Sequence, residues 1–141
     1  MALKAVRFLL GHGQVPMTFL VNDSQTIEAG DILQITGGKV SVAGDAQAAG
    51  TVAGVAMEAI TTVTAGDDDK IAVDVNPFTV YKADFTGSGT PAIGASYDLS
   101  DDPGVFDADD TEGGYICVVG NVDTTADTAD VLVCNRMTNI G

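Results

Sequence analysis

Apolar residues in this chain alternate with polar ones in short runs, and nearly every run ends in glycine or aspartate. A period of two over a few residues is the mark of a half-buried strand, and Gly and Asp are the residues that close turns. Leu33 and Ile35 are separated from Val40 and Val42 by Gly37-Gly38, which predicts a hairpin with a two-residue turn, since both turn positions need positive φ. Ile71, Val73 and Val75 alternate with Ala72 and Asp74, so that strand should have one wet face, whereas Val131-Leu132-Val133-Cys134 is apolar on both faces and should lie centrally. Pro77 to Phe85 is another strand candidate, followed by a loop from Thr86 to Pro91. Val52 to Ile60 fits a strand or a helix by pattern, with Gly54 and the β-branched residues favouring strand. Loops are expected over 44–50 and at Asp67-Asp68-Asp69. The sum is an all-β fold, a small barrel or sandwich of about eight to ten short strands.

The pattern is also written twice. Gly30-Asp31-Ile32-Leu33-Gln34-Ile35 is answered by Gly94-Ala95-Ser96-Tyr97-Asp98-Leu99, placing Leu33 over Tyr97 and Ile35 over Leu99. Val52 to Met57 parallels Ile116 to Gly120, and Ile71 to Val75 parallels Val131 to Cys134. Residues 29–75 and 93–135 therefore read as two copies of one module, and copies of this size normally pack on each other to share a core. The competing explanation is that small β proteins reuse Gly, Asp and Val.

Length and charge sharpen this picture. A chain of 141 residues fits one domain with a sizeable core. Its 20 acids, 17 of them Asp, face 6 bases, for a formal charge of −14. Such a field repels phosphates and argues against nucleic-acid binding. Lys4, Arg7 and His12 all precede the first acid, Asp23, so residues 1–22 form a basic, apolar N-terminal arm and residues 23–141 an acidic β domain. Within the arm, Val15 to Val21 should run extended into the domain. The apolar cluster Val6, Phe8, Leu9, Leu10 is too short for a signal peptide, and no stretch approaches a membrane span. The arm must bury its apolar side chains against a partner or, alternatively, fold back as an edge strand of its own domain.

Candidate chemistry is sparse. His12 sits between glycines with no nucleophile placed beside it, and is expected to be structural or incidental. Asp107-Ala108-Asp109-Asp110-Thr111-Glu112-Gly113 lacks the ligand spacing of an EF-hand, so a solvated turn is favoured over a metal site there, with weak divalent binding at it or at Asp67-Asp68-Asp69 left open. Cys117 and Cys134 lie in apolar runs and read as reduced, although a disulfide would be geometrically feasible if those strands were neighbours. A carboxylate pair for glycoside hydrolysis would need an aromatic-lined groove, and aromatics make up only 6% of the chain. No catalytic residue, metal site or cofactor is expected.

Ala29-Gly30-Asp31 opening a strand, Ala53-Gly54-Val55-Ala56 in mid-module, the turn Ala65-Gly66-Asp67, Ile93-Gly94-Ala95 restarting the pattern and Val118-Val119-Gly120 near its end resemble the small β-rich decoration, or cement, proteins of tailed-bacteriophage heads. The resemblance spans about residues 20–137, outside the acidic insert 100–114 and the arm. It implies a non-enzymatic protein made in the host cytoplasm and bound to the outer capsid surface of the virion, a homotrimer whose partner is the major capsid protein. The arm residues Leu3, Lys4, Val6, Arg7, Phe8, Leu9 and Leu10 would then clamp the capsid or a neighbouring subunit. Other virion modules, such as a head-fibre base or tail-associated β domain, and a carbohydrate-binding module are the alternatives.

Overall fold

The computed structural model describes residues 3–8, 13–44, 51–64 and 69–134. These residues contain thirteen strands and no helix. The first half holds β1 (Lys4–Phe8), β2 (Pro16–Val21), β3 (Thr26–Ile27), β4 (Ile32–Thr36), β5 (Lys39–Val42), β6 (Val52–Ala56), β7 (Ile60–Thr61) and β8 (Lys70–Asp74). The second holds β9 (Thr79–Thr86), β10 (Ser96–Leu99), β11 (Val105–Asp107), β12 (Ile116–Asp123) and β13 (Thr128–Val133). The fold is thus all-β and barrel-like, with more and shorter strands than the sequence pattern suggested.

Strand pairing shows the doubling directly. In the first half β2, β5, β4, β6 and β8 form a closed barrel, with β2 and β5 parallel and every other pair antiparallel. In the second, β9, β11, β10, β12 and β13 follow each other in the same order, β9 and β11 are again the parallel pair, and β13 returns to β9 to close the ring. Local hydrogen bonds repeat as well. Gly30 N–H donates to the Ala56 carbonyl at 2.8 Å and Gly94 N–H to that of Val118 at 2.8 Å, both glycines at positive φ. Each module begins earlier than the sequence indicated: β2 and β9 are its first strand, so residues 16–21 belong to the barrel rather than to an arm.

The registers refine the correspondence. Ala56 faces Val73 and Val118 faces Val131, so Val73 matches Val131 and not Val133, a slip of two from the sequence alignment. A slip of two leaves every side chain on its own face, so hydrophobic pattern alone does not resist it. The predicted hairpin is present, with Thr36 opposite Lys39 and positive φ at Gly37 and Gly38. β13 is paired on both edges, but so is β8, because each closes a ring, and Leu132 on the outer face of β13 and Cys134 just beyond it are only half-buried.

Two apolar clusters fill the molecule. Phe19, Val21, Leu33, Val40, Ile71 and Val73 fill the first barrel. The larger cluster centres on Tyr81, Phe85, Tyr97, Phe106, Ile116 and Val131 in the second barrel, with Phe106 tilted against Phe85 and Tyr97 at 5.5 and 5.6 Å between ring centres. Ile32, Val52 and Val55 of the first barrel pack into this second cluster, so the modules share apolar burial.

Asp74 departs from expectation. Its alternation with Val73 and Val75 predicts a wet face, yet it is fully buried. It ends β8, where the chain crosses from one barrel to the other, and its carboxylate accepts the N–H groups of Val15 and Asn76, each at 3.0 Å, and the Tyr81 hydroxyl. Asn76 in turn donates to the Gly13 carbonyl at 2.9 Å. A buried carboxylate is tolerated when donors surround it, and here the donors come from the entrance to β2, the linker and β9.

Candidate interaction surface

The basic N-terminal segment is the first candidate. Residues 4–8 form β1, antiparallel to β9, with Lys4 opposite Lys82, Ala5 opposite Tyr81, Arg7 opposite Val80 and Phe8 opposite Thr79, and a bulge between Ala5 and Arg7. This part of the arm lies back on its own chain as an edge strand, the alternative weighed against a free clamp. Leu3 is only 5% exposed, packs in the shared core and donates its N–H to Gly30 O at 3.0 Å. It anchors β1 and is not free to touch a partner. Lys4 and Ala5 are exposed, and Val6 stands 47% exposed at the bulge. Leu9, Leu10 and His12 lie outside the described residues, and for Arg7 and Phe8 only the strand position is described.

Sequence reasoning placed Lys4 and Arg7 in the basic segment but missed Lys82, which the β1–β9 ladder brings opposite Lys4. Three of the chain's six bases therefore fall on two adjacent strands. Like charges directly opposite repel, and Asp130, opposite Lys82 on β13, supplies a carboxylate in the same row. Val6, Lys82, Asn121, Asp123, Thr128 and Asp130 line a shallow cleft of about 440 Å³ there. It is a mixed-charge surface on an otherwise acidic protein.

The acidic loops close turns. Asp109 accepts the N–H groups of Ser88 and Gly89, both at 2.8 Å, and these bonds hold its carboxyl below the usual range. The Ala126 and Thr125 N–H groups do the same for Asp123. Asp107 and Asp110 accept from Asp109 N and Glu112 N at 2.9 Å. This is the turn chemistry expected of a short carboxylate side chain. Among the described residues no group of three or more His, Cys, Asp or Glu is placed to hold a metal ion. Asp67 and Asp68 lie outside those residues. Cys117 and Cys134 are half-buried and form no disulfide.

One cleft of about 470 Å³ gathers carboxylates, with Thr26, Glu28, Asp31, Val42, Asp101, Asp102 and Pro103 around it. It lies where the modules meet, since Ile32 N–H donates to Pro103 O at 2.8 Å. Burial pushes the Asp31 carboxyl up, against the pull of the Glu28 N–H bond at 2.9 Å, and the Glu28 and Asp102 charges add to the rise. Among the described residues that line this cleft there is neither a base nor an aromatic ring.

Most exposed large apolar side chains lie elsewhere: Val15 and Met17 at the start of β2, Phe78 in the linker, Val63 and Ile93 in turns. Compared with protein-family models and with curated protein sequences, the chain matches none.

Proposed function

We propose that this protein coats the outside of a tailed-bacteriophage head as a decoration protein, bound to the major capsid protein as a homotrimer and reinforcing the shell without catalysing a reaction. The observation that carries this reading is the contrast between the acidic double barrel, whose loop carboxylates are engaged by backbone N–H groups, and the basic strand β1, which presents Lys4 and Val6 outward. The resemblance of the glycine-punctuated modules to capsid cement proteins supports it. Charge on such a strand sets register and on-rate, apolar contact adds affinity, and repetition over symmetry-related copies makes a modest contact tight.

Because Leu3 belongs to the core, the test leaves the strand in place and changes its outward side chains. Undecorated capsids are mixed with wild-type protein and with the double variant Lys4→Glu, Val6→Glu, then sedimented, and light scattering gives the oligomer mass. Trimeric wild-type protein that sediments with capsids, against a variant that stays in the supernatant, supports the reading. Equal sedimentation of both would remove β1 from the contact, and wild-type protein that ignores capsids would end the proposal.

A further inference from the structure

The duplication gives each barrel the same edge, and among the described residues only one of the two is covered. In the second barrel β9 carries β13 on one side, while its other side is shared by β1 along residues 79–82 and by β11 along 84–86. In the first barrel β2 carries β8 along 16–20 on one side, and on the other β5 reaches only Leu20 and Val21. Leu20 and Asp84 are matching positions, each paired on both sides, so Val15, Pro16, Met17 and Thr18 match Thr79, Val80, Tyr81 and Lys82. Among the described residues no strand stands where β1 would lie, and positions 13–18 are exposed throughout.

Side-chain exposure tells the same story. Thr79 and Tyr81, on the core-facing side of β9, are 0% and 1% exposed. Their matches Val15 and Met17 are 47% and 52% exposed. Backbone direction completes the picture. Val15 N–H donates to Asp74, Val15 O accepts from Val75, Val21 N–H donates to Asp69 O and Asn22 N–H to Val40 O. Odd residues of β2 therefore bond toward β8 and even ones toward the other side, which leaves the Pro16 carbonyl and both Thr18 backbone groups facing the open edge. Pro16 removes one donor that Val80 has, so this edge takes a short strand.

We propose that this edge is a docking groove for a short extended segment of a partner protein, running antiparallel to β2 and carrying apolar and basic residues as β1 does. It deepens the coat-protein reading, on which the identity of the partner rests, by naming how that partner is held. The occupant's form follows from β1, the strand seated on the matching edge, and its charge from the −14 of the chain. A second copy is a poor source, because each chain has one β1 for two edges, and lending it would vacate β9.

The probe is a peptide with the sequence of residues 2–8, added to the isotopically labelled full chain while backbone amide exchange is followed. At ~1 mM peptide and a Kd of about 0.1 mM, about nine-tenths of the edges are occupied and the Thr18 amide should exchange about tenfold more slowly. A peptide with Glu at the Lys4 and Arg7 positions should not protect it. Met17→Glu, which changes only an exposed side chain, and Thr18→Pro, which removes the donor, should each weaken peptide binding at least tenfold. Unchanged exchange at Thr18, or a Met17→Glu variant that binds like wild type, would overturn the groove. No capsid enters this readout, so failure of capsid sedimentation would count against the coat-protein reading alone.

Discussion

Gly54→Ala should be among the most damaging single-methyl additions available to this protein. Gly54 sits in β6, whose five residues are all buried between β4 and β8. A Cβ there would overlap the backbone carbonyl oxygen of Asp74, lie 2.8 Å from Val73 Cγ1 and 3.1 Å from the Asp74 carbonyl carbon. Ordinary carbon contacts begin near 3.5 Å, so the methyl of Val73 must retreat by roughly 0.7 Å and β8 must move with it. Overpacking of a tight core costs about 1–3 kcal/mol. Here the moved atom is backbone, and it belongs to the residue whose carboxylate gathers Val15, Asn76 and Tyr81, so we expect the upper end, about 3 kcal/mol. With a urea slope of about 2 kcal/mol/M, the midpoint should fall by about 1.5 M. Gly94→Ala is the control: its positive φ gives a conformational cost of about 1 kcal/mol, but its Cβ would meet nothing within 4 Å. If Gly54→Ala costs no more than Gly94→Ala at unchanged slope, the close approach of β6 and β8 is not what demands glycine.

Tyr81→Phe removes a buried donor to the Asp74 carboxylate and should cost about 2 kcal/mol in chemical denaturation, while Asp74 keeps its bonds from Val15 and Asn76. Thr79→Val should instead stabilise the protein by about 1 kcal/mol, because the Thr79 hydroxyl is buried with no hydrogen-bond partner among the described residues, and thermal unfolding would show the gain as a higher Tm. For Asp31, a folded-state pKa raised above the unfolded one means the charged form is penalised, so wild-type stability falls as pH rises between those two values. Asp31→Asn should therefore unfold at higher temperature than wild type at pH 7, with the gain fading as pH drops into the ordinary aspartate range; an equal gain at low pH would refute the charge argument.

The repeat and the Gly37-Gly38 hairpin were legible because each depends on local pattern: period-two alternation and glycines forced into positive φ. The first strand of each module was not. Phe19 and Val21 correspond to Ala83 and Phe85, side chains of different size that fill different interiors, so only pairing reveals the match. The two-residue slip between β8 and β13 escaped for the opposite reason, since alternation looks the same at either offset. Asp74 looked solvated because alternation reports which face a residue takes and not what lies against that face. For the candidate surface, composition located the basic segment, but the route of β1 along β9, and with it the burial of Leu3 and the arrival of Lys82, depends on pairings between residues far apart in the chain.

Each ring is sealed by the strands at the two ends of its module: residues 16–20 against 70–74, and 81–84 against 128–131. During synthesis, therefore, neither unit can shut until nearly its last residue has left the ribosome, and β9 must wait about fifty residues for its closing neighbour while the core around its apolar side chains is incomplete. Through that interval the dense negative charge holds nascent copies apart, which gives the aspartates a task in the cell before the finished protein meets anything at all.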